Sequence, residues 1–172
     1  THYVKLKSKI EEEARERATS IYLVDRVIPM LPEILSNQVC SLRPKEEKLC
    51  YSAVFEMSEK AEIRNSWFGR TVIYSDHRFS YEEVQDILDS GEVMHNATPH
   101  LMDCLQIFNK LAKILRDKRM KNGAISFDRA EVKFKLNEKA EPISVYFKVQ
   151  QDAHKLIEEF MLLANRKVAE LV

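Results

Sequence analysis

Carboxylates and imidazoles are the side chains of this sequence with the widest chemical reach. A metal-dependent phosphodiesterase needs several carboxylates converging on hard cations. The acidic residues offer four local groupings: the run at 11–13, Glu82 with Glu83, Asp86 with Asp89, and Glu158 with Glu159. Each falls on a segment of helical character, where neighbouring acids read as a solvated helix surface. His2, His77, His95, His100 and His154 form no H-E-x-x-H and no evident pairing with a nucleophilic Ser or Cys, so each reads as structural. Cys40, Cys50 and Cys104 are odd in number and widely spaced, with no C-x-x-C and no histidine at zinc-finger spacing. They read as reduced, buried thiols. Neither G-x-G-x-x-G nor G-x-x-x-x-G-K-[ST] occurs, and the chain has 3 glycines, where average usage would give about 12. A nucleotide-binding P-loop or Rossmann site is excluded. Residue chemistry alone leads to an α+β domain without a declared active site.

Lys plus Arg equals Asp plus Glu at 27 each, so no global positive field steers the chain onto nucleic acid, and any site for a polyanion must be local. With 172 residues, 45% hydrophobic and 31% charged, the chain suits one ordinary core or part of one. Apolar runs stay far below the ~20 residues of a membrane span, and no signal sequence opens the chain. The expectation is a soluble, cytoplasmic protein with no membrane partner.

Helix formers at 9–17 (KIEEEARER) predict a short surface helix. From 21 to 44, Pro29, Pro32 and Pro44 interrupt any regular period, which predicts an extended loop around one helical turn at 33–36. Residues 49–57 (LCYSAVFEM) alternate as a strand, and Ser58-Glu59-Lys60 turns them into a second strand over 61–73. Ser80 followed by Glu83 is a capping-box signature for a helix through Asp89, closed by Gly91. A longer helix is predicted from 99 to about 120, with Leu101, Leu105, Phe108, Leu111, Ala112 and Leu115 at helical spacing. The segments 131–136 and 143–149 predict a second hairpin. A last helix, capped by Asp152, carries Ala153, Leu156, Ile157, Phe160, Leu163, Ala164 and Val168 as its apolar stripe. The expected class is α+β, antiparallel hairpins packed with helices.

Several stretches together resemble the catalytic domain of ribonuclease R and ribonuclease II type (RNB) exoribonucleases. They are Thr1-His2-Tyr3-Val4, 12–20 (EEARERATS), Tyr22, 27–37 (VIPMLPEILSN), Cys40-Ser41-Leu42, Phe55-Glu56-Met57, 78–81 (RFSY), 123–127 (GAISF) and 153–165 (AHKLIEEFMLLAN). Their order and spacing make the resemblance specific, and residues 1–172 resemble roughly the middle half of that domain. The wording of 27–37 leans toward the ribonuclease R branch. The resemblance implies hydrolytic degradation of single-stranded RNA from its 3′ end to nucleoside 5′-monophosphates, assisted by Mg2+. In the family the metal sits on an aspartate-rich motif upstream of the stretch matched here, and an arginine-rich motif lies downstream. The expectation is therefore a partial catalytic domain, inactive alone, with no catalytic or metal-binding residue of its own. Faces meant for missing strands would favour non-native association. The alternative is a catalytically silent RNA-binding or scaffold protein that keeps the fold.

The same resemblance implies four RNA-binding residues. Tyr22 and Phe127 match aromatics that stack on bases at the two ends of the buried 3′ segment; stacking contributes about 1–3 kcal/mol per base without selecting sequence. Tyr81 and Glu158 match positions that contact sugar and phosphate and separate RNA from DNA, since a phenol and a carboxylate can both bond a 2′-hydroxyl. Three positions depart from the family: Ala18 and Gln38 stand where glycine is usual or frequent, and Gln150 where arginine is usual. A left-handed backbone at Ala18 or Gln38 would store local strain, and Gln150 removes a charge near the RNA path.

Overall fold

A computed structural model describes residues 2–91, 98–125, 131–139 and 141–172. Among them, helix α1 (Lys9–Arg17) starts where the Ser8 hydroxyl accepts the Glu11 amide at 3.3 Å. It stops at Ala18, whose φ of 55° is left-handed. Then come a short hairpin of β1 (Ile21–Tyr22) and β2 (Val27–Ile28), and a π-helical turn, Ile34–Val39. The loop predicted across this region thus contains regular structure at both ends. Strands of two residues are too short to show alternation, and Pro32 sits just before the turn instead of inside it. Arg17 Nη1 donates to the Pro29 carbonyl at 3.0 Å, and the Met30 amide donates to Ser20 Oγ at 3.0 Å. The first bond ties the hairpin to α1, and the second closes the base of the hairpin.

Strands β3 (Glu47–Met57) and β4 (Ile63–Tyr74) form a long antiparallel ribbon, with Ala53 opposite Phe68 and a register shift at Glu56/Met57. The Trp67 indole lies across Gly69 on β4, where a β-carbon would fall 2.4 Å from the ring and make it shift. Strands β5 (Glu131–Leu136) and β6 (Pro142–Lys148) make the second predicted hairpin. One face gathers Val132, Phe134, Val145 and Phe147, all exposed. The hairpins and helices of the expected α+β class are present.

The core lies among α2 (Tyr81–Ser90), α3 (Pro99–Lys121) and α4 (Asp152–Leu171), which pack on one another. Ile87 is fully buried, with Met102, Phe79 and Leu105 against it. Full burial of such a side chain contributes about 1.5–3 kcal/mol. Polar bonds fix the helices lengthwise. Gln85, on α2, accepts the Ala153 amide of α4 at 3.0 Å and donates to Asp89 at 2.9 Å. Gln106, on α3, donates to the Ile87 carbonyl near the end of α2 at 3.3 Å. The bond from the Ala153 amide satisfies a donor that the start of α4 leaves unpaired, while the Ile87 carbonyl also accepts the Gly91 amide at 3.0 Å.

Two expectations for α4 need correcting. Asp152 does not cap the helix: Gln151 occupies the cap position without a side-chain bond, and Asp152 pairs with Lys113 at 2.7 Å. Gln85 supplies the missing acceptor from another helix. Glu159, read from sequence as solvated, is only 3% exposed. It survives burial because Arg119 grips it, Nε lying 3.2 Å from each carboxylate oxygen and Nη2 2.5 Å from Oε1. That hydrogen bond raises the Arg119 pKa above its ordinary value. Of the positions departing from the family, Ala18 is left-handed. Gln38 lies in the π-helical turn and is not among the positive-φ residues, so the strain argument applies only to Ala18.

Replacing Arg119 by Ala leaves a buried carboxylate unpaired and should cost about 3 kcal/mol in urea unfolding. The double change Arg119→Met with Glu159→Leu should recover most of that loss; equal destabilisation by both variants would contradict the pairing. Ala18→Gly should stabilise the chain by about 0.5–1 kcal/mol through relief at φ 55°. A loss of stability in the same assay would rule out strain at that position.

Candidate RNA-contacting face

Tyr81 is the first residue of α2, and its place depends on how that helix begins. Ser80 Oγ accepts the Glu83 amide at 3.2 Å, while the Ser80 amide donates to Glu83 Oε2 at 2.6 Å. This is the complete capping box predicted from the sequence. The hydrogen bond from the Ser80 amide, with nearby His77, holds the Glu83 carboxyl below its ordinary value of 4.5. Tyr81 is 42% exposed, and its ring stacks on the His154 imidazole with centroids 4.2 Å apart and planes 9° apart.

His154 and Glu158 are one turn apart on α4, so they share a face. The structure therefore stacks Tyr81 on the residue one turn before Glu158. Glu158 keeps about a third of its side chain exposed, and Arg119 Nη2 reaches its Oε1 at 3.4 Å. Arg119 thus joins both carboxylates: it neutralises buried Glu159 and braces Glu158 beside it. Next to this face opens a cavity of about 510 Å3, lined in part by Arg78, Phe79, Tyr81, Leu156 and Ile157. A phenol hydroxyl and a cation at this hollow, with a partly exposed carboxylate on the neighbouring helix, are groups that can bond a sugar hydroxyl and a phosphate.

Tyr22 stands apart, on β1 opposite Val27, and is 76% exposed. Its hairpin leaves the ring open to solvent. Phe127 lies outside the described residues, and Gln150 is exposed between β6 and α4. Sequence reasoning passed over His154 and Arg119. The spacing of His154 four residues before Glu158 was the available signal for the first; no local signal marked Arg119, whose partners are about 40 residues away. Among the described residues, no three His, Cys, Asp or Glu side chains gather as a metal centre would require. The described residues therefore do not fit a resident divalent cation. Among the described residues no helix is long and apolar enough to cross a membrane.

Compared with known families, the chain matches the RNB domain over residues 1–172. It is 38% identical to DIS3-like exonuclease 2 of Caenorhabditis elegans, across 100% of this chain and 22% of that protein. It is also 38% identical to ribonuclease R 1 of Lactococcus lactis, across 98% of this chain and 21% of that protein. The chain thus spans about a fifth of the length of these curated relatives. Among solved structures it resembles Mycoplasma genitalium RNase R in complex with ribose-methylated single-stranded RNA, with TM-score 0.88 and 32% identity. That likeness covers 99% of this chain and 26% of the other.

Because the Glu83 pKa is lowered in the folded chain, its capping contribution is present above the unfolded value of 4.5 and is lost as pH falls through the lower folded value. Protection of the amides at the start of α2, measured as exchange relative to the intrinsic rate at each pH, should fall over that acid range, and Glu83→Gln should remove this pH dependence of protection. An unchanged exchange profile in the variant would show that the carboxylate does not hold the cap.

Proposed function

The chain belongs to the RNB domain family, and on that premise we propose that it is the substrate-gripping part of a hydrolytic 3′-to-5′ exoribonuclease. The whole protein degrades single-stranded RNA to nucleoside 5′-monophosphates by metal-assisted phosphodiester hydrolysis. The observation that carries this reading is Tyr81 stacked on His154, one turn before Glu158, at a cavity that Tyr81 lines together with Arg78. The likeness to an RNase R bound to single-stranded RNA supports it.

In this reading Tyr22 and Phe127 stack on bases, while Tyr81 and Glu158 bond the sugar and phosphate near the cleavage end. Stacking tolerates any sequence, which suits an enzyme that must move along its substrate. The metal, Mg2+ in this proposal, is held by residues outside the described ones, and the protein works in the cytoplasm. Residues 1–172 alone bind RNA without cutting it. Exposed apolar side chains such as Leu49, Tyr51, Val72 and Phe147 support association of the isolated chain with copies of itself.

The test uses the full-length protein that carries this segment, with Mg2+ and single-stranded RNA labelled at its 5′ end. Progressive shortening with release of nucleoside 5′-monophosphates is expected. Tyr22→Ala should weaken RNA binding about tenfold, the equivalent of one lost stack. Tight binding without any shortening would overturn the nuclease reading in favour of a silent RNA-binding protein. Unchanged affinity in the Tyr22 variant would remove its stacking role.

A further inference from the structure

Tyr81 projects from the first position of its helix, with 42% of its surface exposed. The capping box fixes the backbone there but does not choose a rotamer for the ring. An exposed tyrosine so placed would share its time among staggered side-chain orientations. What selects one is the imidazole of His154, lying flat on the phenol ring at 4.2 Å and 9°.

We propose that His154 is a positioning residue that holds the Tyr81 phenol beside Glu158, and so sets the preference for ribose over deoxyribose. The proposal rests on the reading in which Tyr81 and Glu158 meet the substrate sugar.

The support beneath His154 is rigid. The amide of the residue before it, Ala153, is bonded by Gln85 from α2, the same helix that carries Tyr81. Five residues further along α4, Glu159 is locked to Arg119 of α3. The imidazole is therefore a fixed plate set between two anchored points. Glu158 follows one turn later on that face and is braced by Arg119 at 3.4 Å.

A 2′-hydroxyl both donates and accepts one hydrogen bond readily. A carboxylate can only accept, while a phenol can do either. Two-point recognition of that hydroxyl thus needs both groups placed within a fraction of an ångström, which flexible side chains do not achieve unaided. Loss of the stack lets the phenol swing away while the cationic and base-stacking contacts remain. The deficit then falls on RNA alone, because DNA offers no 2′-hydroxyl to lose.

The experiment measures dissociation constants of the full-length protein, in the absence of divalent cations, for an oligouridylate and the matching oligodeoxyuridylate. His154→Ala should lose about tenfold of the RNA-over-DNA preference with DNA affinity unchanged. His154→Phe, which keeps a flat ring, should stay within about twofold of the natural protein. Equal weakening for both nucleic acids in His154→Ala, or a His154→Phe variant as poor as the alanine, would overturn the proposal. If Tyr81→Phe abolishes the preference while His154→Ala retains it, the positioning role alone fails. If Tyr81→Phe leaves the preference intact, the sugar-contact reading fails, and the positioning role with it. A nuclear magnetic resonance measurement on the RNA-free protein is independent of that reading: Tyr81 ring protons should move downfield when His154→Ala removes the stacked ring current. Unchanged shifts would mean that the stack does not form.

Discussion

One buried carboxylate sets the geometry on which the candidate site depends. Glu159 is enclosed in the helical core, and a charge there is tolerated only with a well-oriented partner. Arg119 provides it, and in doing so fixes α4 against α3 both along and about the helix axis. Rotation of α4 would break the pair, so every residue on α4 inherits a defined direction. Glu158 points to the neighbouring face because adjacent helix positions are separated by about 100°. The pair also reaches Glu158 itself, where the same guanidinium braces a partly exposed carboxylate.

At the other end of the bundle the constraint is neutral. Gln85 joins the interior of α2 to the Ala153 amide at the start of α4, tying the helix that carries Tyr81 to the helix that carries His154 and Glu158. Gln106 closes the triangle through the carbonyl of Ile87. Apolar packing around Ile87 supplies attraction without direction; the amide and guanidinium bonds supply the register. The three hairpins contribute differently. Each is internally paired, and the exposed rings of Tyr22 and Tyr51 and the apolar side of β5 and β6 are surfaces left for other groups to meet.

Local signals in the sequence were enough for much of this. Helix periodicity and the Ser80, Glu83 and Gly91 punctuation place α2 within a residue of its observed ends, and alternation identifies both long hairpins. Features that depend on distant partners were not legible. Glu159 looks solvated because nothing near it in sequence announces Arg119, and Asp152 looks like a cap because Gln85 is 68 residues away from the amide it serves. The β1 and β2 hairpin is too short to carry a period. Tyr81 and Glu158 were visible only through the family resemblance, since a tyrosine at a helix start and a glutamate on a helix face are chemically ordinary. The structure adds the stack of Tyr81 on His154, which stands one turn before Glu158 on α4.

The central claim is that the face built by Tyr81, His154 and Glu158 meets the sugar of bound RNA. The most direct measurement is an experimental structure of the full-length protein with a single-stranded oligoribonucleotide. The account predicts the Tyr81 hydroxyl and the Glu158 carboxylate within hydrogen-bond reach, about 2.6–3.2 Å, of one ribose or its adjoining phosphate, with the Tyr81 and His154 rings still stacked. An RNA path that leaves this face covered by protein, or that passes it without contact to either residue, would contradict the account.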